Sequence, residues 1–138
     1  MIEKAVASAI LCNAQGEILL QLRDDKPGLR YPNYWTLFGG TIEDGETPAA
    51  GIHRELMEEL KITLSLTYWK AFRCPVRSVE GTMTTYNHVF VGQMTQDIAH
   101  LTLLEGQAMR FFTRSQAKTL TLAFEQHLIL NEWINTHD

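Results

Sequence analysis

The sequence predicts one domain of the α/β or α+β sandwich class, extending over residues 1–138. Strand-like segments come first and recur late in the chain, with one helix-like segment in the middle and another at the C-terminal end. This order is typical of a sheet covered by helices. The composition, 45% hydrophobic and 20% charged, suits a single folded domain and excludes collagen-like or largely disordered chains.

The first third of the chain predicts three short strands and a loop. A tight turn at residues 13–16 separates the first two strands, because its residues tolerate a positive φ and apolar residues alternate on both sides. The next segment contains two prolines and one glycine and is therefore a loop. The predicted segments are strands over 5–12, 17–23 and 35–38 and a loop over 24–33.

A helix is predicted to begin at Thr47 and Pro48, which suit the N-cap and the first helical position. Its apolar residues recur every four positions and form one stripe, made of Ile52, Leu56 and Leu60. The pattern ends near Lys61. Strands are then predicted over 62–69, 71–79, 82–94 and 109–113, with a junction at residues 80–81. A helical region follows over 115–136, with a break near 120–122.

The acidic residues are concentrated in one segment. The net charge is −4, yet residues 43–59 contain six acids and one base and alone carry −5. The remaining residues are almost neutral and carry +1. A broad basic face for nucleic acid is therefore not expected.

On the predicted helix the carboxylates of Glu55, Glu58 and Glu59 share an arc of about 100°, beside the apolar stripe. Like charges at this spacing repel one another. Considered alone, such a group is more typical of a solvated helix face. A site for a hard divalent cation such as Mg²⁺ is the alternative, because Mg²⁺ prefers carboxylate oxygens.

The spacing around this helix resembles the Nudix box. Gly40 is followed after five residues by Glu46 and, after seven more, by the run Arg54-Glu-Leu-Met-Glu-Glu-Leu-Lys-Ile62. The family pattern is G-x5-E-x7-R-E-U-x-E-E-x-G-U, where U is a bulky aliphatic residue, and Lys61 stands in place of its late glycine. The preceding Trp35-Thr-Leu-Phe-Gly-Gly40 also looks like the family's approach to the box.

The resemblance implies a fold, an activity and a cofactor. The fold would be the Nudix α/β/α sandwich around a mixed sheet. The activity would be Mg²⁺-dependent, or Mn²⁺-dependent, hydrolysis of the diphosphate link in a nucleoside diphosphate derivative. The products would be a nucleoside monophosphate and either pyrophosphate or a phosphorylated group X. The alternative is a Nudix-fold sensor or interaction module that binds a nucleotide without turnover.

The resemblance also assigns roles to individual residues. The metal ligands would be Glu55, Glu58 and Glu59, with Glu58 also catalytic. Arg54 would orient the carboxylates by pairing with Glu46, and the roles considered for Glu105 are general base, further metal ligand or ordinary loop residue. The expected substrate-binding residues are Arg23, Gly39 and Gly40.

Further expectations concern partners and location. We expect a small nucleotide-type substrate, no nucleic acid, no membrane association, a cytoplasmic location and a possible homodimer. Most aromatic side chains are expected in the core, where they would not stack on a base. Oxidised-guanine triphosphatases of the Nudix type often carry an asparagine in the final helical region. Phe124 stands at that place here, which argues against this specificity.

Overall fold

The computed structural model describes residues 2–78 and 81–137, and within them a seven-stranded mixed sheet forms the centre of the molecule. The strands are β1 Ile2–Cys12, β2 Ile18–Leu22, β3 Trp35–Thr36, β4 Phe38–Thr41, β5 Leu66–Ser78, β6 Gly81–Gln93 and β7 Ala108–Phe112. The main path through the sheet has the order β3-β2-β1-β6-β5, with β4 paired to β1 and β7 paired to β2. The β1–β6 pair is parallel, and the other named pairs are antiparallel.

Helices cover both faces of the sheet, which confirms the predicted α/β/α sandwich. Helix α1 (Pro48–Leu60) packs on one face, while α2 (Arg114–Thr119) and α3 (His127–Thr136) pack on the other. Strand β1 supplies both cores, because alternate side chains point to opposite faces. No helix in the described part of the chain is long and apolar enough to cross a bilayer.

Helix α1 begins as the sequence predicts. The Thr47 hydroxyl accepts a hydrogen bond from the Ala50 backbone N–H at 3.1 Å, and Pro48 opens the first turn. The helix ends at Lys61, whose φ of 58° and ψ of 37° lie in the left-handed region. Its backbone N–H donates to the Met57 carbonyl, which is the arrangement that a glycine makes with less strain. Lys61 thus adopts the cap geometry of the glycine that it replaces.

The segment predicted as two strands over 62–69 and 71–79 is instead one strand, β5, which begins at Leu66. A register shift against β6 between Tyr68 and Lys70 interrupts its alternation, and this bulge gives the appearance of a break. Residues 62–65 lie outside the sheet. The predicted junction at residues 80–81 falls partly outside the described residues, and Gly81 opens β6.

The strand predicted over 35–38 is divided into β3, which pairs with β2, and β4, which pairs with β1. Between the two strands, the Leu37 backbone N–H donates to the Gln126 Oε1 at 2.8 Å. Because this N–H is bonded to a side chain, it does not take part in strand pairing. Strand β4 therefore includes Gly39 and Gly40. The break predicted near 120–122 is confirmed, since α2 ends at Thr119 and a short 3₁₀ turn separates it from α3.

Candidate active site

A cavity of about 360 Å³ opens where α1, the end of β2 and the glycines of β4 meet. It collects four of the residues that the sequence analysis singled out, together with both glycines. These are Glu55, Glu59, Glu105, Arg23, Gly39 and Gly40. The cavity continues over the sheet between β1 and β6 and is closed on another side by the segment that contains Phe124 and Gln126.

Glu59 is the most deeply buried of these carboxylates, with 2% of the residue exposed. Its Oε1 accepts from the Gly39 backbone N–H, and its Oε2 accepts from Gln21 Nε2, both at 2.9 Å. Burial raises the pKa of Glu59 to about 9, with the Gln21 hydrogen bond lowering it and the neighbouring Glu105 carboxylate raising it. The structure therefore holds an acidic group in a position where negative charge is poorly solvated.

Glu55 lies one turn earlier on α1 and is packed against Gly40. A Cβ at position 40 would lie only 2.5 Å from Glu55 Oε1, so the absence of a side chain there makes room for the carboxylate. Burial raises the pKa of Glu55, and the Arg54 guanidinium opposes this effect. Gly39 has a different constraint, since its φ is 144° and a Cβ would lie 2.1 Å from the Ala7 carbonyl oxygen.

Arg54 joins the helix to the loop that precedes it. Its Nε and Nη2 donate to the two oxygens of Glu46 at 2.7 and 3.0 Å, as predicted for this pair. Nη1 donates to Glu55 Oε1 at 3.0 Å, and Nη2 also reaches the Thr41 carbonyl. The Arg54 hydrogen bond lowers the pKa of Glu46, and the Glu46 hydrogen bond in turn raises the pKa of Arg54. One planar guanidinium thus fixes both the loop and a site carboxylate.

Glu58 differs from the other two box carboxylates. Its side chain is 57% exposed, and its Oε1 accepts from Arg54 Nη1 at 3.2 Å. It does not line the cavity that contains Glu55 and Glu59. The described geometry therefore brings two of the three predicted metal ligands together and leaves the third at the rim, on Arg54.

Two residues from outside the helix complete the charged part of the cavity. Glu105 comes from the loop before β7, and its charge acts on both Glu59 and Arg23. Arg23, from the end of β2, donates through Nε to the Arg30 carbonyl at 3.0 Å. Burial lowers the pKa of Arg23, as does the neighbouring Arg30, while Glu105 and Glu59 raise it. Arg23 therefore lines the cavity as a cationic group on which the charges of both carboxylates act.

Comparison with known proteins agrees with this geometry. The family model described as NUDIX domain matches residues 3–133, which is most of the chain. The chain belongs to the Nudix family. An RNA pyrophosphohydrolase of Shewanella woodyi is 30% identical over 83 residues, which cover 55% of this chain and 44% of that relative. The match thus spans less than half the length of that curated relative.

Solved structures show the same Nudix fold. The MutT protein from Methanosarcina mazei Go1 superposes with a TM-score of 0.80 at 19% identity, covering 99% of this chain and 96% of that one. The NUDIX domain of Shewanella oneidensis NrtR, solved in complex with ADP ribose, superposes with a TM-score of 0.73 at 18% identity, covering 99% and 88%. At these identities the two structures support the fold alone.

Glu55 and Glu59 of the Nudix helix fit a hard divalent cation by donor type, because both present carboxylate oxygens to the same cavity. In residues 2–78 and 81–137 no three acidic, histidine or cysteine side chains already form a complete ligand set. The Glu58 carboxylate accepts from Arg54 and lies outside the cavity. Glu55, Glu58 and Glu59 are the residues that would hold the ion.

Sequence reasoning missed three polar residues that line this Nudix cavity, namely Gln21, Asn87 and Gln126. Gln126 Oε1 accepts from the Thr36 hydroxyl at 3.0 Å as well as from the Leu37 backbone, and so holds its segment against the sheet. Gln21 occupies a buried position in the otherwise apolar strand β2, and Asn87 is buried in β6 after the buried Thr84 and Thr85. A polar residue at an inward strand position is the signal that would have identified both.

Proposed function

We propose that this chain is a divalent-metal-dependent pyrophosphohydrolase that cleaves the diphosphate link of a nucleoside diphosphate derivative, either a nucleoside triphosphate or a nucleotide sugar. The products are a nucleoside monophosphate and either pyrophosphate or a phosphorylated group X. The observation that carries the proposal is the convergence of Glu55, Glu59 and Glu105 on a cavity that Arg23 also enters. Three acids and one arginine in a confined space suit a polyanionic substrate and its counter-cations.

Each residue has a defined part in this reaction. Glu55, Glu58 and Glu59 are the proposed ligands of Mg²⁺ or Mn²⁺, which supplies charge neutralisation of phosphate oxygens and a more acidic bound water. Arg23 binds the substrate phosphates by virtue of its position at the end of β2. We assign the role of general base to Glu105, and the support for this assignment is that its carboxylate neighbours Glu59.

Arg54 acts through the carboxylates that it holds. Its hydrogen bonds to Glu46 and to the Thr41 carbonyl fix the helix relative to the preceding loop and to the end of β4. The Glu59 contact to the Gly39 backbone does the same from the end of the helix. The rigid helix and the two-glycine strand therefore present the acids at a constant separation, which the reaction needs for aligned attack.

The test is hydrolysis of a panel of nucleoside triphosphates and nucleotide sugars by the purified protein with Mg²⁺, with products identified by mass. We expect release of pyrophosphate or a phosphorylated product that stops on addition of a chelator. Glu58→Gln and Glu59→Gln should each lower kcat by several orders of magnitude while the protein stays folded. Glu132→Gln is the matched control, because Glu132 is a surface residue that pairs with Lys70.

Two results would contradict the proposal. Unchanged hydrolysis in both box variants would overturn the assignment of the metal ligands. Nucleotide binding without product release, independent of Mg²⁺, would instead support the sensor alternative.

A further inference from the structure

The cavity contains a buried amide oxygen that lacks a hydrogen-bond partner. Asn87 is 5% exposed and lines the cavity, and within the described residues nothing donates to its Oδ1. Buried polar atoms in folded proteins are nearly always hydrogen-bonded, so an exception beside a cavity indicates a missing ligand group. The Oδ1 atom is itself enclosed by protein, and rotation of the amide about its broadly permissive terminal torsion would exchange the positions of Oδ1 and Nδ2.

The neighbouring polar residue on the cavity floor, Thr85, has a hydrogen-bond partner within the protein. Thr85 lies two residues earlier on the same face of β6 and lines the same cavity. Its hydroxyl already donates to the Cys74 carbonyl at 3.2 Å. Asn87 therefore differs from Thr85 in having an acceptor that the protein itself does not use.

The sheet register places Asn87 at a defined distance from the acidic residues. Val6 of β1 pairs with Thr41 of β4 on one side and with Asn87 of β6 on the other. Adjacent strands lie about 4.8 Å apart, so Asn87 is about 10 Å across the sheet from the strand that contacts Glu55. A pentose with an attached base spans such a gap when its phosphates lie at the carboxylates.

The lining of the cavity also includes an aromatic side chain. The Phe124 ring lines the cavity, and the guanidinium carbons of Arg23 and Arg30 lie 4.8 and 5.4 Å from its centroid. Phe124 has a φ of 56°, a conformation that phenylalanine rarely adopts and that costs about 1–3 kcal/mol. Such strain is found preferentially where a side chain has to be presented to a ligand. Aromatic rings and guanidinium planes are the surfaces on which heterocyclic bases stack.

We infer that Asn87 is a specificity-determining residue that accepts a hydrogen bond from an amino or lactam N–H of a heterocyclic base, with the base lying against Phe124. The inference rests on the proposed function, since it places the phosphates of the same substrate at the carboxylates. It assigns the far end of the cavity to the base. A substitution at Asn87 should therefore change recognition of the base without changing the residues that carry out hydrolysis.

The test compares substrates that differ only in the base. The wild type, Asn87→Leu, Asn87→Asp and Thr85→Val are assayed on ATP, GTP, CTP, UTP and ribose 5-triphosphate, which has no base. The quantity compared is kcat/KM for the best nucleotide divided by kcat/KM for ribose 5-triphosphate. Asn87→Leu should lower this ratio at least tenfold relative to the wild type. Asn87→Asp, which keeps an acceptor, and Thr85→Val should hold this ratio within threefold of the wild type.

Several outcomes would overturn the inference. One is an unchanged ratio in Asn87→Leu, and another is an equal loss on all substrates, which would indicate a structural role. Asn87→Leu should also have a Tm equal to or above that of the wild type, because it removes a buried unpaired polar group. A lower Tm would show that the amide serves the fold, and loss of the ratio in Asn87→Asp would refute the acceptor role.

Failure of the proposed function gives a different result, namely no hydrolysis of any triphosphate, including ribose 5-triphosphate. In that case calorimetric binding of the four nucleoside monophosphates tests Asn87 independently. Affinity at least tenfold weaker in Asn87→Leu than in the wild type supports the base contact. Equal affinity, or no binding by the wild type, overturns it.

Discussion

The two glycines of β4 make one prediction that separates the geometry of the site from the stability of the fold. In Gly40→Ala the new Cβ would lie 2.5 Å from Glu55 Oε1, where an ordinary contact needs 3.4 Å or more. The carboxylate must therefore move by about 1 Å. A displacement of that size in a catalytic group costs about 100-fold in rate, so we expect kcat/KM to fall by about two orders of magnitude.

The same substitution should leave the fold nearly intact, because the atoms that must yield are at the end of a flexible side chain. Gly39→Ala is the contrasting variant. Its Cβ would lie 2.1 Å from the Ala7 carbonyl oxygen of the central strand, at a φ of 144°. Since a backbone contact cannot yield in this way, we expect a loss of about 3 kcal/mol or more in the free energy of unfolding.

Both variants are measured by urea unfolding and by steady-state hydrolysis with titrated Mg²⁺. The expected result is a stable Gly40→Ala with kcat/KM lowered about 100-fold and an unstable Gly39→Ala. Full activity in Gly40→Ala would show that the Glu55 carboxylate does not need its observed position. A loss of stability as large as that of Gly39→Ala would show that Gly40 serves the fold, and either result refutes the reasoning.

Three further predictions follow from other contacts. Lys61→Gly should stabilise the protein by about 0.5–1 kcal/mol in urea unfolding, because glycine adopts the φ of 58° without side-chain strain, and an unchanged value would contradict this. Arg54→Lys should lower kcat/KM about 10- to 100-fold in steady-state assays, because lysine cannot hold Glu46 with two parallel bonds, whereas activity within twofold would count against its positioning role. Burial raises the pKa of Cys12 to about 11 and also raises that of Cys74, so both thiols are neutral at pH 8. Neither should react with a disulfide reagent until the protein unfolds, and rapid labelling of the native protein would disprove this.

The sequence predicted the local elements well where one periodicity dominates. The N-cap at Thr47, the apolar stripe of α1 and the break near residue 120 are local features, and the structure has each of them. The bulge at Tyr68 was not predictable, because it depends on how β5 pairs with a distant strand. The division of β3 from β4 likewise depends on Gln126, which is almost ninety residues away from Leu37.

For the candidate site, spacing placed the acidic residues of the box on one helix, and the family resemblance paired Arg54 with Glu46, a contact that the structure contains. Spacing did not show that Glu58 would lie on Arg54 and outside the cavity, because a helix angle does not specify the side-chain torsions. Nor did it reveal Gln21 or Asn87, which reach the cavity only through the pairing of distant strands. Their roles, like those of the box residues, await the experiments described above.

The position of β1 between β4 and β6 has a consequence for how such a protein can change. The acidic helix α1 packs against β4, whereas Thr85 and Asn87 on the cavity floor lie on β6. Strand β1 lies between β4 and β6. Substitutions on β6 therefore alter the shape and polarity offered to a ligand without moving a single charged group of α1. A laboratory that wished to redirect this protein to another substrate would randomise Met83 and Asn87 first, and would leave the helix untouched.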